Sequence, residues 1–181
     1  MVNVYLAEGF EEIEALTIVD LLRRAGISVQ TVSTGSGLNV TGTHGVAVEA
    51  DVIFDEADND SCEMLVLPGG LPGADNLGAH KGLTDALKKA AASGRKVAAI
   101  CAAPMVLGDC GILKGKKATI YPGMEERLTG AVPQSDGAVT DGNVITGKGP
   151  AFAMEFALAL ITDLAGSEKA GEVADGLLYR G

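Results

Sequence analysis

The feature that most constrains the fold is a regular alternation between short, charge-free apolar runs and segments with helical spacing. The run VNVYL at 2–6 is followed by EGFEEIEALTIVDLLRRAGI, which has the apolar spacing of a helix and a stop signal at Gly26. The same alternation continues, with strands predicted at 28–33, 63–70, 96–101 and 117–121, and helices at 82–94, 103–111, 149–166 and 167–179, plus a helical turn at 124–130. Such alternation predicts an α/β fold with a mostly parallel, doubly wound sheet.

Two stretches depart from this alternation of strands and helices and indicate β-hairpins. Glycine and threonine turn chemistry separates short alternating runs at 38–41 and 46–49, which we expect to pair as a small hairpin. Farther along, AVT and VIT flank Asp141-Gly142-Asn143, a strong hairpin signal. The first long helix should bury one stripe of side chains, namely Ile13, Leu16, Val19, Leu22 and Ala25. We expect a single domain over 1–181.

Charge and cysteine content exclude several classes of protein. A net charge of −10 argues against direct binding of nucleic acid or anionic membranes. No segment resembles a signal peptide or a membrane span. Three cysteines without framework spacing favour a reducing cytoplasm over a disulfide scaffold. His44 and His80 are far apart in sequence, and with no Cys-x-x-Cys motif we expect no metal site.

Three stretches at the ends of predicted strands contain the candidate catalytic residues. They are AEGFEEIE after the first strand, PGG at 68–70, and the cysteine of AAICAAP. Doubly wound sheets place their sites beyond the carboxyl ends of strands, where the strand order reverses. We therefore expect a cleft if these stretches meet in space.

Cys101 stands where a strand turns into a helix. There, helix N–H groups would lower the thiol pKa and favour the nucleophilic thiolate. The alternative is a small apolar residue packed in the core, since cysteine is among the most buried residue types, and position alone does not separate the two interpretations. We interpret Cys62 and Cys110 as structural.

Two other elements fit a reactive thiol. Backbone N–H groups of Gly70 and Ala102 could form an oxyanion pocket, although PGG is also an ordinary strand-to-helix turn. Glu14 lies between Ile13 and Ala15, and a buried carboxyl there would have a raised pKa and could serve as acid or base. The alternative for Glu14 is a solvated carboxylate at a helix start.

Taken in order, several motifs resemble the ThiJ/PfpI superfamily, in the branch of the Parkinson-disease-associated protein DJ-1 and bacterial YajL. These are GFEEIEA, RRAGI, LVLPGG followed by GADNL, AAICAAP, GKGP and FALAL, which span essentially the whole chain. The resemblance implies a flavodoxin-like sandwich that forms homodimers. It also implies a cysteine on a strained elbow (Cys101), a protonated glutamate beside it (Glu14), and oxyanion donors at Gly70 and Ala102.

The activities ascribed to this branch are cofactor-independent glyoxalase and protein deglycase activity, chaperone activity, and sensing of oxidative stress through cysteine oxidation. This chain departs from related patterns at three positions. Ala102 replaces the histidine that follows the nucleophile in PfpI-type proteases, which argues against a Cys-His protease. Tyr121-Pro122 replaces a His-Pro pair, which predicts slow turnover, and His44 replaces an arginine near the partner's site.

Two functions from different classes therefore stay open. The first is an enzyme that acts on small α-oxoaldehydes or glycated protein with Cys101 as nucleophile and Glu14 as acid and base, with Tyr121 and His44 as possible auxiliary residues and no cofactor. The second is a redox-sensing chaperone that uses oxidation of Cys101 and has little turnover.

Overall fold

The computed structural model describes residues 1–180. The strands are β1 Val2–Leu6, β2 Val29–Ser33, β3 Asn39–Thr41, β4 Ala47–Glu49, β5 Val52–Ile53, β6 Met64–Leu67, β7 Lys96–Ile100, β8 Lys117–Ala118, β9 Val132–Pro133, β10 Ala138–Asp141 and β11 Val144–Gly147. The α-helices are α1 Glu12–Arg24, α2 Gly73–Ala79, α3 Lys81–Ala92, α4 Pro104–Asp109, α5 Ala153–Ala165 and α6 Ser167–Gly176. Short 3-10 turns cover Phe54–Glu56, Glu125–Arg127 and Pro150–Phe152.

The central sheet has the order β10-β11-β7-β6-β1-β2-β5 within the described residues. Neighbouring strands run parallel except β10, which pairs antiparallel with β11. That exception follows from the tight turn at Asp141-Gly142-Asn143, where Gly142 has a φ of 62°. The predicted hairpin and the mostly parallel sheet are both confirmed.

Helices cover both faces of the sheet, as side-chain alternation along each strand requires. In β1, Val2 and Val4 face the core shared with α1, α5 and α6, whereas Tyr5 faces the core shared with α2, α3 and α4. Both cores are rich in fully buried leucine, valine and isoleucine. The result is the flavodoxin-like three-layer α/β sandwich that the sequence predicts.

The first predicted hairpin forms a small sheet of its own. Strands β3 and β4 pair antiparallel, with Val40 opposite Val48. The hairpin is tied to the start of the chain because Gly9 N–H donates to Thr41 O at 2.8 Å, and Thr43 N–H donates to Phe10 O at 2.8 Å. These bonds hold the hairpin tip next to the beginning of α1.

The strand predicted at 117–121 is only partly formed, and it lies outside the central sheet. β8 covers two residues and pairs with β9 in a separate two-stranded sheet. The residues beyond it find other partners: Thr119 N–H donates to Thr146 Oγ1 at 2.9 Å, and Tyr121 N–H donates to Cys101 O at 2.9 Å. These contacts with the end of β11 and the cysteine turn replace a regular strand ladder.

The predicted apolar stripe of α1 is wrong in its first two members. Ile13 is 58% exposed and Leu16 is 43% exposed. The buried face instead passes through Ala15, Ile18 and Leu22 at i, i+3, i+7 spacing, whereas the predicted stripe advances by three residues at each step. Val19 and Leu22 are buried as predicted, so the correction is a rotation of the buried face rather than the loss of the helix.

The sequence analysis also missed three short elements, α2, β5 and β9. Helix α2 has seven residues, and β5 and β9 have two each, so none is long enough to show a clear period. α2 follows the PGG turn directly and places its first residues beside the site described below.

Candidate active site

Three neighbouring strands deliver the predicted site residues to one edge of the sheet. β7, β6 and β1 are adjacent, and the strand order reverses at β1 because β2 lies on one side of it and β6 on the other. Glu14 follows β1, Gly69 and Gly70 follow β6, and Cys101 follows β7. Parallel strands end at the same edge, so the structure brings together the stretches that the sequence singled out.

Cys101 lies on a strained elbow between β7 and α4. Its φ is 64°, in the left-handed region, where a non-glycine side chain costs on the order of 1 kcal/mol or more. Two hydrogen bonds hold this conformation: Cys101 N–H donates to Gly147 O at 2.9 Å, and Tyr121 N–H donates to Cys101 O at 2.9 Å. The residue is 8% exposed, so Cys101 is almost completely enclosed by its neighbours.

The glycines of the PGG turn are required by close packing. A Cβ at Gly69 would lie 2.6 Å from Cys101 Cβ and 2.7 Å from Glu14 Oε2. Gly70 has a φ of 90°, and a Cβ there would lie 2.5 Å from the backbone nitrogen of Glu11. Only glycine at both positions lets the turn approach the thiol and the carboxyl this closely.

Glu14 is fully buried, which decides between the two sequence interpretations of this residue. Its Oε2 accepts a hydrogen bond from Gly69 N–H at 2.8 Å, and Oε1 has no regular partner within residues 1–180. Burial raises the pKa of Glu14 to about 7 and the neighbouring Glu11 adds to this, while the Gly69 N–H and the adjacent Cys101 act in the opposite direction. A proton on the Glu14 carboxyl would make it the donor in a hydrogen bond to the Cys101 side chain.

The expectation of a lowered thiol pKa is wrong as it was stated. Burial, and then the nearby Glu14 carboxylate, raise the pKa of Cys101 to about 12, against the weaker effect of the Gly70 and Ala102 N–H groups. The ionisations of the thiol and the carboxyl are therefore coupled, and at neutral pH the thiol is the group that keeps its proton. With the proton on Glu14, the neighbouring negative charge is gone and the carboxyl becomes a donor, which favours the thiolate.

Both predicted oxyanion donors lie near Cys101. The backbone N–H groups of Gly70 and Ala102 lower the pKa of its thiol, one from the glycine turn and one from the residue that follows the elbow. A negative charge on or next to the sulfur would be stabilised by these two donors without any reorganisation of the chain.

The two auxiliary residues occupy different places. Tyr121 is bonded to the elbow through its backbone, and its ring, 48% exposed, lies beside Gly149, where a Cβ would be 3.3 Å from Tyr121 Cδ2. His44 is mostly exposed, and its Nδ1 lies 2.9 Å from Glu12 Oε2 in the same chain. Within the described residues, the structure thus brings Tyr121 but not His44 to Cys101.

Sequence reasoning missed Gly69, Gly147 and Glu11 as parts of this site. Gly69 and Gly147 belong to the PGG and GKGP motifs, which the sequence analysis identified without assigning a role to these two glycines. Glu11 is 5% exposed, and its Oε2 accepts a hydrogen bond from Glu14 N–H at 2.7 Å. Its position among four neighbouring glutamates hid this specific contact.

One group of side chains within residues 1–180 has its ligand atoms close enough for a metal ion. Glu11, Glu12 and His44 offer atoms that lie within 4.8 Å of one another. Each carboxylate is already engaged, because Glu11 accepts from Glu14 N–H and Glu12 accepts from His44 N–H at 2.7 Å and contacts its ring. These groups are satisfied by protein partners, and we assign no ion to them.

The other two cysteines have different surroundings. Cys62 is buried, and burial raises its thiol pKa. Arg95 Nη1 donates to Cys62 O at 3.0 Å and lies 3.7 Å from the sulfur. Cys110 is half-buried at the end of α4, and burial raises its pKa as well. All three cysteines are free, and of the three only Cys101 lies on a left-handed elbow.

The elbow that carries Cys101 lies apart from two of the cavities in the structure. Two of the cavities, each of ≈ 430 Å³, lie elsewhere: one next to Phe54 and Lys89, the other next to Pro122 and Lys148. Neither is lined by Cys101.

No helix within residues 1–180 combines the length and the apolar character needed to cross a bilayer.

Comparison with known proteins agrees with this geometry. The model of the DJ-1/PfpI family matches residues 1–163. Protein dj-1beta of Drosophila melanogaster is 41% identical over 177 residues, covering 97% of this chain and 95% of the relative. Protein DJ-1 homolog B of Arabidopsis thaliana is 41% identical over 176 residues, but this chain spans only 40% of its length.

The solved structure of oxidized Toxoplasma gondii DJ-1 superposes with a TM-score of 0.96 at 38% identity. The match covers 99% of this chain and 98% of that one. The match of the family model, the near-complete coverage of the fly relative and the shared fold show that this chain belongs to the DJ-1/PfpI family.

Proposed function

We propose that this DJ-1/PfpI family protein is a cysteine-dependent, cofactor-independent stress protein that converts reactive α-oxoaldehydes to hydroxy acids. The observation that carries the proposal is the arrangement around Cys101. A thiol on a left-handed elbow lies next to a fully buried glutamate and near two backbone N–H groups that lower its pKa. A nucleophile, a proton carrier and charge-stabilising donors are the parts that this chemistry needs.

The first step forms a bond between sulfur and carbon. The Cys101 thiolate adds to the aldehyde carbon of methylglyoxal, and the carbonyl oxygen becomes an alkoxide. The Gly70 and Ala102 N–H groups stabilise the developing negative charge. The alkoxide then takes up a proton to give a hemithioacetal. Because the proton of the pair is on Glu14 when Cys101 is a thiolate, Glu14 is the donor in this step.

The second step moves hydrogen between adjacent carbons. Glu14, now a carboxylate, takes the proton from the former aldehyde carbon to give an enediolate. The hydroxyl proton passes from one enediolate oxygen to the other, and Glu14 returns its proton to the neighbouring carbon, giving a thioester. Water hydrolyses the thioester to lactate and frees the thiol, so the net reaction is methylglyoxal plus water to lactate. The pKa of Glu14, about 7, suits a group that must both give and take protons at neutral pH.

We expect this enzyme to be slow. The resemblance to DJ-1 matches Tyr121 to a histidine, and tyrosine, with a pKa of about 10, is a poor base at neutral pH. Glu14 therefore does most of the proton transfer. Glycated protein is a second substrate class that we propose for the same thiol.

The test is lactate formation from methylglyoxal without glutathione. Wild type should form lactate, Cys101→Ser should not, and Glu14→Gln should lose most of the activity. Cys110→Ser is the matched control, because it removes a half-buried thiol away from the elbow and should leave turnover unchanged. Turnover in Cys101→Ser would contradict the proposal.

A redox-sensing chaperone with little turnover is the second candidate. Cys101 is 8% exposed, and the two N–H groups nearby and Glu14 could hydrogen-bond the oxygens of an oxidised sulfur. The Toxoplasma gondii relative was solved in an oxidised form. Intact mass after mild peroxide separates the candidates: a stable gain of two oxygens that Cys101→Ser loses, together with no lactate formation by wild type, would favour the sensor.

Assembly and location complete the proposal. Homodimer formation is supported by the family and by the exposed apolar side chains Ile13 and Leu16 on α1. A cytoplasmic location is supported by the three free cysteines. The net charge of −10 supports small-molecule or protein partners rather than nucleic acid or membranes.

A further inference from the structure

Glu11 belongs to a closed ring of hydrogen bonds that includes Glu14. Glu11 N–H donates to Gly69 O at 2.9 Å, Gly69 N–H donates to Glu14 Oε2 at 2.8 Å, and Glu14 N–H donates to Glu11 Oε2 at 2.7 Å. All three residues are buried. The ring therefore joins the beginning of α1 to the glycine turn.

The ring is held against the cysteine elbow by close packing. A Cβ at Gly69 would lie 2.6 Å from Cys101 Cβ, and a Cβ at Gly70 would lie 2.5 Å from Glu11 N. The Gly70 N–H also lies near Cys101 and lowers the pKa of its thiol. A shift of Glu11 would therefore be transmitted to both partners of Cys101, the Glu14 carboxyl and the Gly70 N–H.

Capping alone does not explain a glutamate at position 11. Glu11 is the N-cap of α1, a position where serine, threonine, aspartate and asparagine are preferred. Its carboxylate is buried without a lysine or arginine in ion-pair contact within residues 1–180, and its one ion-pair contact there is His44, with Nδ1 3.9 Å from Oε1. A buried negative charge disfavours a second one on the neighbouring carboxyl.

We propose that Glu11 is a positioning residue of the active site: the ring holds the Glu14 carboxyl against the Cys101 thiol, and the charge of Glu11 favours the form in which Glu14 carries the proton. This inference rests on the proposed function only in its use of a Cys101 thiolate. The other titratable groups that face this pair are Glu12 of α1 and His44 of the β3–β4 loop.

The experiment measures alkylation of Cys101 by iodoacetamide as a function of pH, in which the thiolate displaces iodide. Modification is assigned to Cys101 by peptide mass spectrometry. Glu11→Ala should lower the rate at neutral pH about tenfold, the size expected when one buried hydrogen bond to a charged group is lost. Glu11→Gln keeps an acceptor oxygen without the charge, so it should recover most of this loss. Its pH–rate profile should nevertheless have a lower midpoint than that of wild type.

Glu12→Ala is the matched control. Glu12 is the next residue and is also buried. Its carboxylate contacts the backbone N–H and the imidazole of His44 in the hairpin, and it takes no part in the hydrogen-bond ring that includes Gly69. It should alkylate at the wild-type rate. Equal slowing in Glu11→Ala and Glu12→Ala would overturn the proposal, because it would indicate general loosening of α1.

Two further outcomes would also overturn it. One is a wild-type rate and pH profile in Glu11→Ala. The other is a pH–rate profile of Glu11→Gln with the same midpoint as that of wild type. If Glu11→Ala does not fold, this measurement on Glu11→Gln is sufficient to test the proposal. Lactate formation is measured separately, so a protein with the predicted alkylation behaviour but no turnover would refute the proposed function and leave the role of Glu11 intact.

Discussion

Replacing Glu14 by glutamine should stabilise this protein at alkaline pH while it disables the site. The pKa of Glu14 is raised from 4.5 to about 7 in the folded chain, chiefly by burial. In the unfolded chain the carboxyl loses its proton near its ordinary value. Over the window between these two values the unfolded chain binds fewer protons than the folded one, so the free energy of unfolding falls as the pH rises.

The size of the effect follows from the two pKa values. Since a tenfold change in an acid dissociation constant corresponds to about 1.4 kcal/mol, the ionised Glu14 costs the folded state about 3 kcal/mol above neutral pH. Glutamine keeps the oxygen that accepts from Gly69 N–H but has no proton to lose. For a chain of this length the gain corresponds to roughly 6 to 12 °C in the unfolding temperature.

The assay is urea unfolding of wild type and Glu14→Gln at about pH 5 and about pH 8, followed by circular dichroism. The free energies of unfolding should be similar at the lower pH and should diverge in favour of the variant at the higher one. Glu12→Gln is the control, and its effect on the free energy of unfolding at the higher pH should have the opposite sign. Hydrogen bonds from His44 and the backbone lower the pKa of Glu12 despite its burial, so this variant should be less stable than wild type there. A difference between wild type and Glu14→Gln that is the same at both pH values would refute the reasoning.

Three other changes test separate parts of the structure. Gly69→Ala should abolish thiol alkylation and cost about 1 to 3 kcal/mol of stability, measured by urea unfolding, because its Cβ would lie 2.6 Å from Cys101 Cβ. Gly171→Ala, in α6 with no atom within 4 Å of the new Cβ, is its control and should be neutral or slightly stabilising. Ile13→Asp should convert a homodimer to a monomer in light scattering, because it places a charge on an exposed apolar face; a monomeric wild type would contradict the proposed assembly. Tyr121→His should raise the rate of lactate formation, since histidine is a better base at neutral pH; a slower variant would show that the phenol itself is needed.

Local patterns were sufficient to predict most of the fold. The alternation of apolar runs and helical segments, and the turn at Asp141-Gly142-Asn143, depend on neighbouring residues, and the structure has the predicted sheet, hairpins and layers. The position of Cys101, Glu14 and the PGG turn at strand ends also followed from the sequence. Their meeting at one edge follows from the adjacency of β1, β6 and β7.

Where the prediction failed, long-range contacts were decisive. The period of α1 is visible in the sequence, but which face is buried depends on its packing against α5 and the sheet, so Ile13 and Leu16 are exposed. The segment after Ala118 leaves the strand conformation because Thr146 and Cys101, both distant in sequence, supply its hydrogen-bond partners.

The chemistry of the site also depends partly on local sequence and partly on long-range contacts. By itself the sequence determined which groups are available: a cysteine before a helix, a glutamate beside apolar residues, and glycines that admit close approach. Only the tertiary structure decided their ionisation. The helix N-terminus that led us to expect a lowered thiol pKa is a local effect, whereas burial and the adjacent Glu14 carboxyl, which raise it to about 12, arise from elements separated along the chain. Solvent exclusion and charge proximity are properties of the packed molecule, and no run of neighbouring residues encodes them.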